Sequence, residues 1–284
     1  EYITIASTGN ATDFGDLDEV SGEGVTGTSS NLRAIFKHDA EMEFVTIAST
    51  GNVTDFGDPL GGASSSTSRA RHMAGLSNNI KGIFAGGEGQ NNTSGFLNII
   101  EFVTIATTGD TADFGDLTSL RTGAPRGNAS QTRGLMAGGT NVPSGDAINI
   151  IEYITINSTG DSADFGDLQA ARQKGGGGIA SKTRSVFFEG SQTSPVVHSN
   201  VLSYITTATL GNATDFGDVS VTIDSGPMGM GCSPTRGVMF HPSNGAGGGS
   251  DVIEYITIAS TGNTTDFGNN DESADWKGMM VVSS

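Results

Sequence analysis

The residues of this chain with the most chemical potential recur in sixes. Asp-Phe-Gly starts at Asp13, Asp55, Asp113, Asp164, Asp215 and Asp266, with Phe14, Phe56, Phe114, Phe165, Phe216 and Phe267 at its centre. A protein kinase uses this tripeptide to bind a metal ion, but once, together with an HRD segment and a strand-borne lysine. Neither accompanies it here. Asn10, Asp13 and Asp16 stand three apart, and the third and fourth copies place Asp at all three positions (Asp110, Asp113, Asp116; Asp161, Asp164, Asp167). Oxygen-rich turns can hold Ca2+. No EF-hand-like loop is present, however, and side chains on a strand need not converge. Capping of turns by Asp and Asn accounts for the spacing. No catalytic, cofactor or metal-binding residue is assigned, and Ca2+ at these turns is left open.

Other motifs dissolve in the same way. Gly176-Gly177-Gly178-Ile179-Ala180-Ser181-Lys182-Thr183 resembles a phosphate loop, but Ser181 stands where that loop needs its second glycine. The run from Ser181 to Arg184 aligns instead with Ser130-Gln131-Thr132-Arg133 and Ser233-Pro234-Thr235-Arg236. Sequons begin at Asn10, Asn52, Asn212 and Asn263, yet Asp110 and Asp161 replace asparagine elsewhere, which a turn accepts and a glycosylation site does not. His38, His72, His198 and His241 share no ligand spacing, and Cys232 is the only cysteine, so no internal disulfide forms. One basic residue also recurs, as Arg33, Lys81, Arg133, Arg184, Arg236 and Lys277, six of the 14 in the chain. The one-to-one count per unit leads to the expectation that each pairs with a repeat carboxylate.

The elements that carry these residues belong to one repeated unit, starting at 1, 43, 101, 152, 203 and 254. Self-similarity at about 50 residues marks a solenoid or propeller. Each unit opens with an alternating, β-branched strand (b), as in Glu1-Tyr2-Ile3-Thr4-Ile5. Thr-Gly-Asn or Thr-Gly-Asp follows, or Leu210-Gly211-Asn212 in the fifth copy, which reads as a tight hairpin turn. The Asp-Phe-Gly strand (c) returns, a looser segment supplies a strand (d), and the basic residue opens an apolar strand (a). The chain starts at strand b and ends at Met279-Met280-Val281-Val282 on strand a, with only 269–276 left for the last strand d. The expectation is an all-β fold: a single domain, 1–284, forming a six-bladed β-propeller of four-stranded antiparallel blades. Pairing of 277–282 with 1–6 and 11–17 would close the ring and remove the sheet edges. The six phenylalanines would pack between blades.

Composition agrees with turn-rich β structure, with 43 Gly and 7 Pro in 284 residues. The net charge of −17 opposes binding to nucleic-acid backbones or anionic membrane surfaces. No run of 18 apolar residues is present. The single cysteine suits assembly in a reducing cytoplasm.

Double glycine, a strand bearing Tyr or Phe, a Thr-Gly-Asn turn, an aromatic on the next strand, then Leu and sometimes Arg (Arg121, Arg172) resembles a kelch repeat. Phe replaces the usual Trp, and the double glycine is complete only at Gly86-Gly87 and Gly138-Gly139. The wording ITIASTGNATDFGDL is similar to kelch-like repeats of large structural proteins, tail or fibre components, of marine bacteriophages. The resemblance covers the whole chain and implies a non-enzymatic structural or adhesive module of a virion. Its partners would be other virion proteins or host-surface glycans, met through the variable a–b loops at 88–96, 140–147, 191–200 and 242–251. Two alternatives remain. A lectin-like propeller would need exposed loop aromatics, of which only Phe96 qualifies. A carbohydrate-active or oxidative enzyme would need clustered acids or converging Tyr, His and Cys.

Overall fold

The structure is a computed structural model that describes residues 1–18, 25–38, 41–60, 70–89, 97–122, 126–141, 144–173, 177–190, 192–193, 196–223, 229–241 and 250–274. Every regular element among them is a β-strand, and the principal sheets are five four-stranded antiparallel blades. Blade I holds Thr26–Ser29, Arg33–His38, Glu41–Thr46 and Thr54–Gly57. Blade II holds Ala74–Ser77, Lys81–Ala85, Ile99–Thr104 and Ala112–Asp116. Blade III holds Arg126–Ala129, Arg133–Ala137, Ile150–Thr155 and Ala163–Asp167. Blade IV holds Gly178–Ala180, Arg184–Phe188, Ser199–Thr206 and Thr214–Ile223. Blade V holds Gly229–Cys232, Arg236–Phe240, Ser250–Thr257 and Thr265–Ala274.

Each blade runs d–a–b–c, and the d strands of successive blades lie against one another towards the axis. This is a propeller. Strand a is short and apolar because both its faces are covered. Ile83, Phe84 and Ala85 are all fully buried, as are Val186, Phe187 and Phe188. The core is a series of layers between adjacent blades: Ile83, Ile100 and Phe114 of blade II pack with Met136, Ile154 and Ile156 of blade III. The Asp-Phe-Gly phenylalanines lie in these layers, each edge-on to the strand-b aromatic of its own copy at 5.9–6.1 Å. Phe14 alone among the six is half-buried rather than buried.

Two expectations about the ring are corrected. Among the described residues the four-stranded blades number five, not six. The first copy of the repeat contributes only the bridge Tyr2↔Thr12, and no pairing of the N- and C-terminal strands occurs among the described residues. Residues 269–274, expected to begin a strand d, instead prolong strand c of blade V. Lys277 and the strand at 277–282 lie outside the described residues.

The Gly-Asn turn is also not the hairpin. Strand b reverses three residues earlier, where the Thr107 N–H donates to Thr104 O, as Ser7 does to Thr4 and Ser158 to Thr155. The Gly-Asn/Asp pair instead clasps the preceding copy. Gly160 N–H donates to Phe114 O at 2.7 Å and Ser162 N–H to Asp116 O at 2.9 Å, while Asp161 Oδ1 accepts the Asp116 N–H at 3.0 Å. The same three bonds recur from 51–53 to 14–16, from 109–111 to 56–58, from 211–213 to 165–167 and from 262–264 to 216–218. They recur once more from Gly9, Asn10 and Ala11 to Phe267 and Asn269. The first copy is thus held to the last at the rim without strand pairing. Because the side chain only accepts, Asn and Asp serve equally, which explains their exchange.

The clasp dictates the glycine of Asp-Phe-Gly. Gly115 has φ +149°, and a Cβ there would meet the Gly160 carbonyl carbon and oxygen at 2.5 Å. Gly160 has a similar φ of +152° but open space around its missing Cβ. Gly115→Ala is therefore expected to cost about 3 kcal/mol, conformational strain plus a displaced clasp. Gly160→Ala, strained only, should cost about 1 kcal/mol. Urea unfolding midpoints of the two variants test the difference, and equal losses would show that the close approach carries no energy.

Candidate functional site

The recurrent residues meet at the junctions between copies. The basic residue of strand a lies over the strand-b aromatic. Arg33 covers Phe44 at 4.5 Å, Lys81 Phe102 at 4.5 Å, Arg133 Tyr153 at 4.6 Å, Arg184 Tyr204 at 4.3 Å and Arg236 Tyr255 at 4.3 Å. In blade III, Arg133 faces Thr155 in the ladder, which puts Tyr153 on its diagonal and on the same face. The arginines then reach the next copy: Arg33 Nη1 donates to Ile105 O and Ala106 O, Arg133 to Thr207 O, Arg184 to Ile258 O and Arg236 to Ile5 O. In the one described copy with lysine, Asn78 Nδ2 takes over the reach, to Gln131 O and Asn157 Oδ1.

These contacts correct the expected pairing with carboxylates. Asp55, Asp113, Asp164, Asp215 and Asp266 are all exposed on strand c, and Asp13 is exposed at the matching place in the first copy. Among the described residues, the four arginines meet rings and carbonyl oxygens instead, and Lys81 meets rings. The reason is distance across the sheet: a cation on strand a lies beside strand b, and the Asp stands one strand further out. Such a stack contributes about 0.5–1 kcal/mol.

The phosphate-loop resemblance also resolves into structure. Ser181 Oγ accepts from the backbone N–H groups of Thr183 and Arg184, which closes the d–a turn. Ser130 and Ser233 do the same in their copies. Asn78 Oδ1 does so for Ile80 and Lys81. Among the described residues no group of three His, Cys, Asp or Glu is placed to hold a metal ion. Of the variable a–b segments, 140–147 and 191–200 lie mostly within the described residues, and 88–96 and 242–251 mostly outside them.

A set of buried carboxylates was not foreseen. The Glu opening strand b is buried at Glu43, Glu101, Glu152 and Glu254. Each accepts the backbone N–H two residues past the preceding copy's Asp-Phe-Gly-Asp: Asp18 to Glu43, Leu60 to Glu101, Thr118 to Glu152 and Ser220 to Glu254. The fifth copy has Ser203 in that place. There Glu189, 2% exposed at the end of strand a, accepts from Gln169 and Ala170. The carboxylate has changed strands and kept its post.

Its basic partner moves as well. His38 Nε2 meets Glu43 at 2.9 Å and His241 Nε2 meets Glu254 at 2.7 Å, from the strand-a position that Glu189 occupies in blade IV. Blades II and III have Gly86 and Gly138 there, and the partner comes from a neighbour. Lys37 Nζ lies 3.8 Å from Glu101, and Arg121 Nη2 lies 3.1 Å from Glu152. Burial pushes the Glu152 carboxyl up, and the Arg121 charge and Thr118 N–H offset only part of that. Burial likewise lowers Arg121 against the pull of Glu152. For Glu254, burial raises the carboxyl, but hydrogen bonds from His241 and Ser220 outweigh it and hold it below the usual range. One signal in the sequence could have found the set: Glu recurs inside an otherwise apolar strand, and the copy that lacks it carries an unmatched Glu189.

Comparison with known proteins finds no matching family model and no matching curated sequence.

Two outcomes follow from the carboxylates. Glu189→Ala leaves two part-buried N–H groups without their acceptor and should cost about 1–2 kcal/mol, with Ser203→Glu recovering part of the loss in a double-mutant cycle. A cycle with no coupling would separate the two positions. For Glu254, a folded pKa below the unfolded one gives stability that is present above the unfolded value and lost as pH falls through the folded one. Wild type should therefore lose its advantage over Glu254→Gln as pH drops below the ordinary carboxylate value. For Glu152, with its raised pKa, the wild-type position relative to Glu152→Gln should improve on acidification. Denaturation midpoints across pH distinguish the two slopes.

Proposed function

We propose that the chain is a non-enzymatic structural or adhesive module of a phage particle, a kelch-like propeller in its tail, fibre or capsid-associated parts. The observation that carries this reading is a division of labour. Among the described residues the recurrent Gly-Asn, Asp-Phe-Gly and arginine residues join one copy to the next, and the recurrent aromatics pack beneath them. Length and composition vary instead in the a–b segments at 88–96, 140–147, 191–200 and 242–251. A rigid ring with variable loops is a scaffold for recognition, and virion proteins or host-surface glycans are the partners in this reading. The resemblance of the repeat wording to phage structural proteins supports the setting, and fold alone does not imply function.

The test is labelling of intact particles with antibodies raised against the chain, together with a glycan array probed by the purified chain. Decoration of a defined particle part and block of adsorption are the expected results. Replacing the 242–251 segment by a Gly-Ser linker should abolish array or particle binding while leaving the unfolding midpoint within about 0.5 kcal/mol. Unlabelled particles, together with turnover of a sugar or redox substrate, overturn the reading.

A further inference from the structure

The turns between strands d and a and between strands b and c lie together on one face of the ring, because each blade is an antiparallel d–a–b–c meander. Arg33 crosses this face, from strand a of blade I to Ile105 O and Ala106 O of blade II. In blades III, IV and V the residue before the strand-a cation is an exposed threonine, Thr132, Thr183 or Thr235. Blades I and II carry Leu32 and Ile80 there instead, 69% and 61% exposed. The turn uses only the backbone at this position. Leu32 O and Ile80 O accept from Ile47 and Ile105, just as Thr132 O, Thr183 O and Thr235 O accept from Ile156, Thr207 and Ile258. The two aliphatics, on neighbouring blades, therefore serve no need of the turn. Ile47 adds to them, half-buried where Ile105, Ile156 and Ile258 are buried.

The same face reverses the sign of the chain. Among the described residues its turns carry two carboxylates, Asp110 and Asp161, and each is engaged in a clasp. Lys182 is exposed there, and half-buried Arg33, Lys81, Arg133, Arg184 and Arg236 follow the d–a turns. Six cations against two carboxylates leave the remainder of the chain more acidic than its overall −17.

We propose that the turn face of one copy docks on an acidic surface of a second copy, with Leu32 and Ile80 buried in the contact. Charge selects the partner's surface. Two turn faces repel each other, whereas a turn face and the acidic remainder attract. The contact is heterologous, each copy offering a different surface, so it does not close by a two-fold axis and adds copies in a row. The aliphatics supply affinity, and the charges fix which surface is met. This contact does not use the a–b segments and does not rest on the phage reading.

Sedimentation velocity of the full chain over a concentration series is the test. Species larger than a dimer are expected to grow in as the concentration rises to about 1 mM. Raising the salt from about 0.01 M to about 1 M cuts the screening length from about 30 Å to about 3 Å and should weaken association at least about ten-fold. Leu32→Thr with Ile80→Thr installs the residue that blades III to V carry, so the urea midpoint should hold while association weakens about ten-fold. Lys182→Glu should weaken it as well. A chain that stays monomeric overturns the proposal, as does a dimer that grows no further. Association that neither salt nor the threonine pair weakens overturns it too. None of these outcomes bears on particle labelling or the glycan array.

Discussion

The structure depends on a backbone clasp at the rim of the ring. A Gly-Asn or Gly-Asp pair of one copy lies across the Asp-Phe-Gly-Asp of the copy before it and exchanges three hydrogen bonds. Strand c is the outermost strand of its blade, and an outermost strand presents unpaired N–H and C=O groups. The clasp uses those groups to join blades, so the feature that would otherwise invite aggregation becomes the link between units. Close approach of two backbones leaves no room for a Cβ, and the glycine follows from that, not from catalysis.

Around the clasp, polar groups are buried in a fixed pattern with interchangeable suppliers. The N–H past each Asp-Phe-Gly-Asp points into the interface and needs an acceptor. Glu43, Glu101, Glu152 and Glu254 provide it from strand b, and Glu189 provides it from strand a where strand b has Ser203. A basic side chain, His38, His241, Lys37 or Arg121, faces each of those four glutamates according to which position is vacant. A buried carboxylate without such company would be costly. The same relocation appears where Asn78 replaces the reach of an arginine in the lysine-bearing copy. What each junction requires is a group of the right chemistry at a point in space, and the chain position that delivers it is free to drift.

The repeat, its all-β character and the four strand types were legible in the sequence, because alternation and glycine punctuation are local. So was the equivalence of Ser181–Arg184 with Ser130–Arg133 and Ser233–Arg236, since the three runs recur in register. The number of four-stranded blades, the site of the strand b reversal and the true partner of Arg133 and its equivalents were decided only by the tertiary structure. A hairpin turn and a clasp both ask for Gly-Asn, and nothing local says whether the bond runs within a copy or to the copy before. A cation has no sequence mark that distinguishes a carboxylate from a ring; which it meets depends on the strand beside it. The buried carboxylates are the sharpest case, for Glu189 and Ser203 exchange duties only because two strands pair in space.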